Sequence, residues 1–400
     1  MKDSTTKQRI ITRTILLVSL VSFFTDIASE MLYPVMPVYL KTIGFSVVLI
    51  GVLEGFAEAT AGLSKGYFGN LSDRLGHRLP FVKWGYLLSA ISKPMMAAFT
   101  YPLWIFFART TDRLGKGIRT GARDAMLSDE TTPENKGKVF GFHRSLDTAG
   151  AAIGPFIALL YLAFFPGQYK WLFILAFAPG LAAIAFTFLI KEKRRESTVK
   201  AAQVGFLSYF SYWNKSSAAY KKVVAGLLAF TLFNSSDAFL LLALKYQGLS
   251  DTMMIGVYIF YNLIYALLSY PVGMIADKLG LKRILVAGLL IFACVYTSMG
   301  FADSLWQFGI IFSFYSFYAA ATEGVSKALI SNIADKADTA TAIGFFTSLA
   351  SICTLLASSL AGLLWYNFGP QVMFLVSGAG VGFVVIYFAV LKHNEGKSVM

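Results

Sequence analysis

Charge is scarce in this chain. Charged residues make up 14% of its 400 residues, against 56% hydrophobic and 16% aromatic, where an ordinary soluble chain carries about 25% charged residues. That scarcity excludes a typical soluble domain. Cysteine is almost missing too: Cys294 and Cys353 both fall inside apolar runs, which leaves no disulfide framework and no cysteine metal site. The three histidines have no zinc-type spacing, and no metal centre is expected. Strict period-two alternation over ~10 residues, the mark of membrane-barrel strands, does not occur. The first apolar run lacks a small-residue cleavage site and ends in YPVMP, so it reads as a retained helix and not a cleavable leader.

What the chain has in abundance is long apolar runs. Twelve stretches approach the ~20 residues needed to cross a ~30 Å hydrocarbon core. They lie near 11–40, 46–72, 81–102, 104–127, 138–165, 170–190, 222–246, 252–276, 283–302, 305–332, 340–366 and 370–391. The expected fold is an all-α polytopic membrane protein with twelve transmembrane helices. The net charge of +13 is a matter of topology and not of nucleic acid. Lys and Arg cluster at the amino terminus, after runs 2 and 8, between runs 4 and 5, and above all in KEKRRESTVK at 191–200; the alternate loops hold only Lys41, Lys170 and Lys245. Since cytoplasmic loops carry the positive excess, both termini are expected inside, with the lipid bilayer as partner.

The chain repeats once. GNLSDRLGHRLP at 69–80 returns as GMIADKLGLKRI at 273–284, so that Gly69, Asp73, Arg74 and Gly76 match Gly273, Asp277, Lys278 and Gly280. KGIRTGARDAMLSD parallels EGVSKALISNIAD, and GFHRSL at 141–146 parallels GFFTSL at 344–349. Parallel six-helix halves about an axis along the membrane normal are a transporter architecture with its site near mid-membrane. The expected division is 1–190 for one half, 191–220 for a cytoplasmic linker, charged and then aromatic, that can lie along the membrane surface as an amphipathic helix, and 221–400 for the other half.

The G-x-x-x-D-R-x-G-x-R loop, its degenerate second copy and the twelve spans resemble the major facilitator superfamily across essentially the whole chain. FFTDIASEMLYPVMPVYL, DRLGKGIRTGARDAML and FNSSDAFLLL are similar to a bacterial, antiporter-like subgroup of permeases. The resemblance implies a conformational gate built from Gly69, Asp73, Arg74, Gly76 and Arg78, repeated at Gly273, Asp277, Lys278 and Gly280. Run 5, GFHRSLDTAGAAIGP, resembles the antiporter signature of that superfamily through Gly141, Gly150, Gly154 and Pro155, with Arg144 and Asp147 between them; the signature's trailing glycine pair is replaced by Ala158 and Leu159.

Run 4 contains seven charges, Arg109, Asp112, Arg113, Lys116, Arg119, Arg123 and Asp124. At about 100° per residue they share an arc of about 140°. Facing lipid they would cost on the order of 20 kcal/mol, so the stripe must face a polar interior. Partners of opposite sign are Asp26 and Glu30 on run 1, and Glu54 and Glu58 on run 2, each pair four residues apart and therefore on one helix face. The second half offers Asn234, Asp237, Asn262 and Glu323. An acid beside an arginine in a low-dielectric cavity is a proton switch. In the resembled family a basic residue of the fourth helix commonly pairs with an acid of the first, which makes Asp26–Arg113 the expected coupling pair, with Glu58 as second carboxylate and Lys116 beside them. A static salt-bridge network is the competing account.

The expected activity is secondary transport of a small solute by alternating access, as proton-coupled antiport in the export direction. Proton-coupled uptake or facilitated movement of an organic anion such as a siderophore or organic acid is the alternative. The proton is the expected coupling ion and no cofactor is expected. No nucleophile–base set points to an enzyme, and no selectivity-filter-like loop points to a channel. The resemblance implies a functional monomer in a bacterial inner membrane.

Overall fold

The computed structural model describes residues 10–192 and 205–391. Helices account for nearly all of it, and no strand occurs among the described residues. In chain order they are α1 (Arg13–Glu30), α2 (Met36–Thr42), α3 (Val47–Leu75), α4 (Leu79–Ala98), α5 (Pro102–Asp129), α6 (Lys136–Phe164) and α7 (Tyr169–Phe188). After the linker come α8 (Tyr212–Lys215), α9 (Ala218–Phe233), α10 (Ala238–Tyr246), α11 (Asp251–Leu279), α12 (Leu281–Met299), α13 (Leu305–Ile333) and α14 (Thr339–Val390).

Four apolar runs behave differently from simple spans. The first breaks into α1 and α2 around Pro34, and the seventh breaks into α9 and α10 at Asn234–Asp237. Asn and Ser side chains compete there for backbone groups: Ser236 Oγ accepts from the Ala238 amide, and the Ser236 amide donates to Ser358 Oγ. Because the two halves repeat, the first span of each half is interrupted. The eleventh and twelfth runs join as α14, a stretch of 52 residues with non-helical backbone at Gly369 (φ 85°) followed by Pro370. A straight helix of that length would measure about 78 Å at 1.5 Å per residue, far more than one bilayer, so the chain turns back at Gly369.

Six stretches are both long and apolar enough to cross a membrane: 133–164, 169–188, 218–246, 253–279, 281–299 and 336–390. They supply seven passes, since the last one folds back. Helices α1, α3, α4, α5 and α13, of 18 to 29 residues, supply five more. Their polar residues point into the bundle, which is why they are less apolar by composition.

The first six passes pack among themselves, α4 on α5 and α7, α3 on α5, and α1 on α6 and α7; the last six do likewise through α9, α11, α12, α13 and α14. The halves meet along two seams, α6 against α11 and α3 against α14. Both seams depend on missing side chains. A Cβ on Gly69 would stand 2.5 Å from the Ala340 carbonyl oxygen, and one on Gly273 would stand 2.3 Å from that of Gly137. Backbones that approach this closely admit nothing larger than glycine.

From the linker, Tyr209 is buried against the second-half core and its hydroxyl bonds Ser348 Oγ at 3.0 Å. Asn70 Nδ2 on α3 donates to Ser208 Oγ at 2.8 Å. The charged part of the expected amphipathic linker, 193–204, lies outside the described residues.

Candidate functional site

Helix α5 turns its charges inward. Arg109, Asp112, Arg113, Arg119, Arg123 and Asp124 are all buried, and Lys116 alone of the seven is exposed. Gly115 and Gly117 bring α5 against α4 and α3: a Cβ on Gly115 would meet the Gly85 carbonyl oxygen at 2.5 Å, and one on Gly117 would meet Ser64 Cβ at 2.4 Å. Most of the charges are then paired. Lys93 Nζ lies 2.7 Å from Asp112 Oδ1, and Arg109 grips Glu54 with two hydrogen bonds of 2.8 Å. Arg113 Nη1 lies 3.2 Å from Glu58 Oε1. Arg123 and Lys327 bracket Asp124 at 2.9 and 2.8 Å, the second of these reaching across the halves. Arg119 has no acid; it lies over the Tyr86 ring at 4.5 Å and donates to Ser89 Oγ.

A cavity of about 360 Å³ sits between the halves. The first half contributes Asp26, Glu30, Lys65, Lys116, Arg119, Arg123, Arg144 and Asp147; the second contributes Asp237, Asn262, Glu323, Lys327 and a face of Tyr258, Tyr261 and Tyr265. A smaller space of about 240 Å³ adjoins it through Lys65, Glu323 and Lys327, and Asn234 lines that part.

Asp147 is the hub of the first-half wall. Arg144 Nη1 lies 2.8 Å from it and Arg123 Nη1 lies 3.9 Å away, and Asp26 of α1 lines the same cavity. Arg144 also crosses to the other half, donating to Tyr265 Oη at 2.6 Å. His143, one turn away, has Nδ1 3.3 Å from Ser19 Oγ and a buried Nε2 with no partner.

On the opposite wall, Tyr315 donates to Asp237 at 2.7 Å and Asn234 donates to Tyr318 at 3.0 Å. Asn262 is turned back onto the Tyr258 carbonyl. Glu323 and Lys116 have no ion pair or hydrogen bond among the described residues and face the open space.

The end of the bundle bearing the 76–78 and 280–281 turns, called here the loop end, is closed by two equivalent contacts. Asp73 Oδ2 accepts from the Thr341 amide at 2.7 Å and its hydroxyl at 2.8 Å, at the start of α14. Asp277 accepts from the Gly137 and Lys138 amides, both at 2.7 Å, at the start of α6. Each carboxylate meets the positive end of a helix from the other half. Arg78 braces the first contact, 2.8 Å from Asp73 and 2.7 Å from Asp129. Arg74 Nε donates to Asn70, while Lys278 is exposed. Gly76 and Gly280 turn the chain at positive φ, 68° and 101°. Away from this end the halves touch more lightly, as in the 3.5 Å contact of Tyr258 with Glu30.

On α6, Gly141 faces the second half, whereas Gly150 and Gly154 face α1: a Cβ on them would meet the carbonyl oxygens of Phe23 at 2.4 Å and Ile27 at 2.7 Å. Pro155 is buried within α6.

One expected grouping is not what the structure holds. The Asp26–Arg113 pair is not formed, and Glu54, Glu58 and Arg113 do not line the cavity. The reason is neighbour order. Helix α5 packs along α3, so Arg109 and Arg113 find Glu54 and Glu58 as a two-rung ladder; α1 packs along α6, so Asp26 shares the cavity wall with Asp147 instead. Sequence depth placed these groups at one level without fixing which helices touch. Lys65, Lys93 and the tyrosine face were passed over. The two lysines carried a signal, being charges inside otherwise apolar runs; the tyrosines did not stand out in a chain with 20 of them.

Two six-pass halves around a polar central cavity define the class: a multi-pass membrane transporter. The profile of the Major Facilitator Superfamily matches residues 18–261 and 224–398, and the chain belongs to that superfamily; it is a transporter and not an enzyme. It is 32% identical over 376 residues, 92% of each chain, to an uncharacterised MFS-type transporter of Methanocaldococcus jannaschii. It is 23% identical over 369 residues, 86% of this chain and 87% of the other, to a multi-drug resistance efflux pump PmrA homologue of Lactococcus lactis. In fold it is similar to the human organic anion transporter MFSD10, with a TM-score of 0.77 and 18% identity, covering 94% of this chain and 99% of that one. It is also similar in fold to the transporter FucP in its outward conformation, with a TM-score of 0.72 and 13% identity, covering 95% and 99%.

Proposed function

We propose that the chain exports a small solute in exchange for protons, by rocking its two halves about the central cavity. The observation that carries this reading is the presence of two acids, Asp26 and Asp147, on one cavity wall, with Asp147 between Arg123 and Arg144. On this reading the two acids share one proton, since like charges in a confined site disfavour double ionisation. Arg144 also holds Tyr265 of the other half, so separating the halves changes what neutralises Asp147, and a change in the surrounding charge moves the proton. Asp73 and Asp277 act as the cytoplasmic gate, closed in this structure. Both termini then lie in the cytoplasm, the membrane is the cytoplasmic one, and the monomer is the working unit without a cofactor. Resemblance to multi-drug resistance efflux pumps favours the export direction.

A second reading, movement of an organic anion, is favoured by Lys65, Lys116 and Arg119, three cavity cations with no acid within ion-pair distance among the described residues.

The test is proton movement in proteoliposomes containing an entrapped pH dye, challenged with ethidium and tetraphenylphosphonium in one arm and citrate in another. The wild type should move protons on adding a substrate, and Asp26→Asn should not, while remaining monodisperse in detergent. Substrate-driven proton flux of normal size in Asp26→Asn would overturn the coupling assignment.

A further inference from the structure

The two copies of the repeated turn use their cations differently. In the first copy Arg78 is buried on Asp73 and Asp129. In the second copy the matching residue is Lys282, flanked by Lys278 and Arg283, and none of the three has an acid within ion-pair distance among the described residues. Lys282 Nζ donates to the Leu391 carbonyl, and Arg283 Nη1 reaches only the Leu279 carbonyl at 3.4 Å. Asp277, the acid next to them in sequence, is already occupied by the Gly137 and Lys138 amides.

These three cations line a cavity of about 980 Å³ at the loop end, between the α11–α12 turn and the ends of α13 and α14. Asp277, held by the Gly137 and Lys138 amides, and Asn332 also line it, and the rest of its wall is apolar, including Leu279, which is 53% exposed, and Val286. The cavity therefore lies where the membrane passes end, charged on one side and greasy on the other.

We infer that this cavity is a binding site for an anionic phospholipid, with the phosphate on Lys278, Lys282 and Arg283 and the upper acyl chains along Leu279 and Val286. Basic pockets between helix ends are suited to acidic lipid headgroups, which charge attracts and hydrocarbon contact retains. The site has a conformational consequence. Pro133 of the first half forms part of the wall, and its carbonyl accepts from Asn332. A lipid seated there touches both halves while Asp277 caps α6, so it favours the arrangement closed at the loop end.

The experiment is native mass spectrometry of the full-length protein, titrated in detergent with phosphatidylglycerol or with phosphatidylcholine. Wild type should retain phosphatidylglycerol in preference to phosphatidylcholine. The triple variant Lys278→Gln, Lys282→Gln, Arg283→Gln should bind it roughly tenfold or more weakly, given the contribution of each basic residue near an acidic lipid. A charge-keeping variant, Lys278→Arg, Lys282→Arg, Arg283→Lys, should retain the wild-type affinity, and so should Lys215→Gln, Lys221→Gln, Lys222→Gln, which removes three cations elsewhere. Equal retention of phosphatidylcholine, undiminished phosphatidylglycerol binding in the first triple variant, or an equal loss in the Lys215–Lys221–Lys222 variant would each overturn the site; the last would mean diffuse surface charge only.

Discussion

Asp277 takes the amide protons of Gly137 and Lys138 at 2.7 Å each, and Asp73 does the same service for Thr341 at the start of α14. One carboxylate from each half caps a helix of the other, so the loop-end closure is symmetric although the side chains around it are not. The first contact carries an arginine brace on Asp73; the second relies on the amides alone. Capping contributes about 1 kcal/mol per helix start, and about 1.4 kcal/mol shifts a two-state ratio tenfold.

Removing the caps should therefore open the loop end. Asp277→Ala is expected to shift the closed population about fivefold, as roughly 1 kcal/mol requires. Ser269→Cys reports the change in a background with Cys294→Ser and Cys353→Ser, because Ser269 is buried in the α6–α11 seam. Its labelling by a maleimide should accelerate several-fold in Asp277→Ala. An unchanged labelling rate would mean that the cap does not hold this seam.

The glycine seams make a prediction of the same sense as loss of a cap. Gly273→Val places a branched side chain where even a Cβ would lie 2.3 Å from the Gly137 carbonyl oxygen, and backbone cannot retreat as a side-chain end does. The expected outcome is folded protein that cannot close at the loop end, with transport reduced at least tenfold and Ser269→Cys permanently accessible. Transport at the wild-type rate would show that the seam is not remade in the cycle.

The fold was largely legible in the sequence, because a bilayer leaves a chain few options and an internal repeat ties one half to the other. The internal repeat matched Asp73 with Asp277 and the family resemblance implied a gate there, while the inward stripe of α5 followed from angle and the cost of charge in lipid. What could not be read was adjacency. Asp26, Arg113 and Glu58 fall at similar depth, but depth does not say that α1 lies on α6 and α5 on α3. The helix breaks near Pro34 and at Asn234–Asp237 carried local signals that a count of apolar runs passes over, as did Lys93, a lone charge in its run.

Lys93 and Asp112 give the clearest stability prediction. Both are buried, 2.7 Å apart, and Lys93 also donates to Ser29 Oγ at 3.2 Å on α1. Removing Lys93 leaves Asp112 only its longer ion pair, 3.5 Å from Arg109, so Lys93→Met should destabilise by up to about 3–5 kcal/mol. The double variant Lys93→Met, Asp112→Leu should recover most of that loss, because replacing a whole buried pair with apolar groups is often neutral. Thermal melting in detergent distinguishes the two; a double variant melting as low as the single would show that Asp112 serves partners other than Lys93.

The carboxyl pair separates proton coupling from static ion pairing. If Asp26 and Asp147 share a proton, Asp26→Asn and Asp147→Asn should each remove the dependence of transport on external pH. Glu58→Gln, which removes only a ladder rung to Arg113, should leave that dependence intact and change stability by about 1 kcal/mol or less, since Glu58 is half exposed. The measurement is initial transport rate across pH 5.5–8.5 in proteoliposomes. A pH profile flattened by Glu58→Gln and preserved in Asp147→Asn would move the coupling site from α1–α6 to α3–α5.

The charge of the solute should be readable from Lys116 and Glu323, a cation and an acid that line the cavity, are exposed to it and have no ion pair among the described residues. A ligand met by Lys116 should lose up to about fivefold in affinity in Lys116→Gln, as an exposed ion pair of up to about 1 kcal/mol requires, while Glu323→Gln leaves it unchanged or tightens it. A cationic ligand should give the reverse pattern. Thermal-shift titration of both variants against lipophilic cations and against organic polyanions reads this directly, and Tyr258, Tyr261 and Tyr265 supply the aromatic face that a lipophilic cation would use. For proton-driven drug export the loss should fall on Glu323→Gln with cations. A loss confined to Lys116→Gln with polyanions would transfer the cavity to organic-anion transport while leaving the Asp73 and Asp277 gate as described.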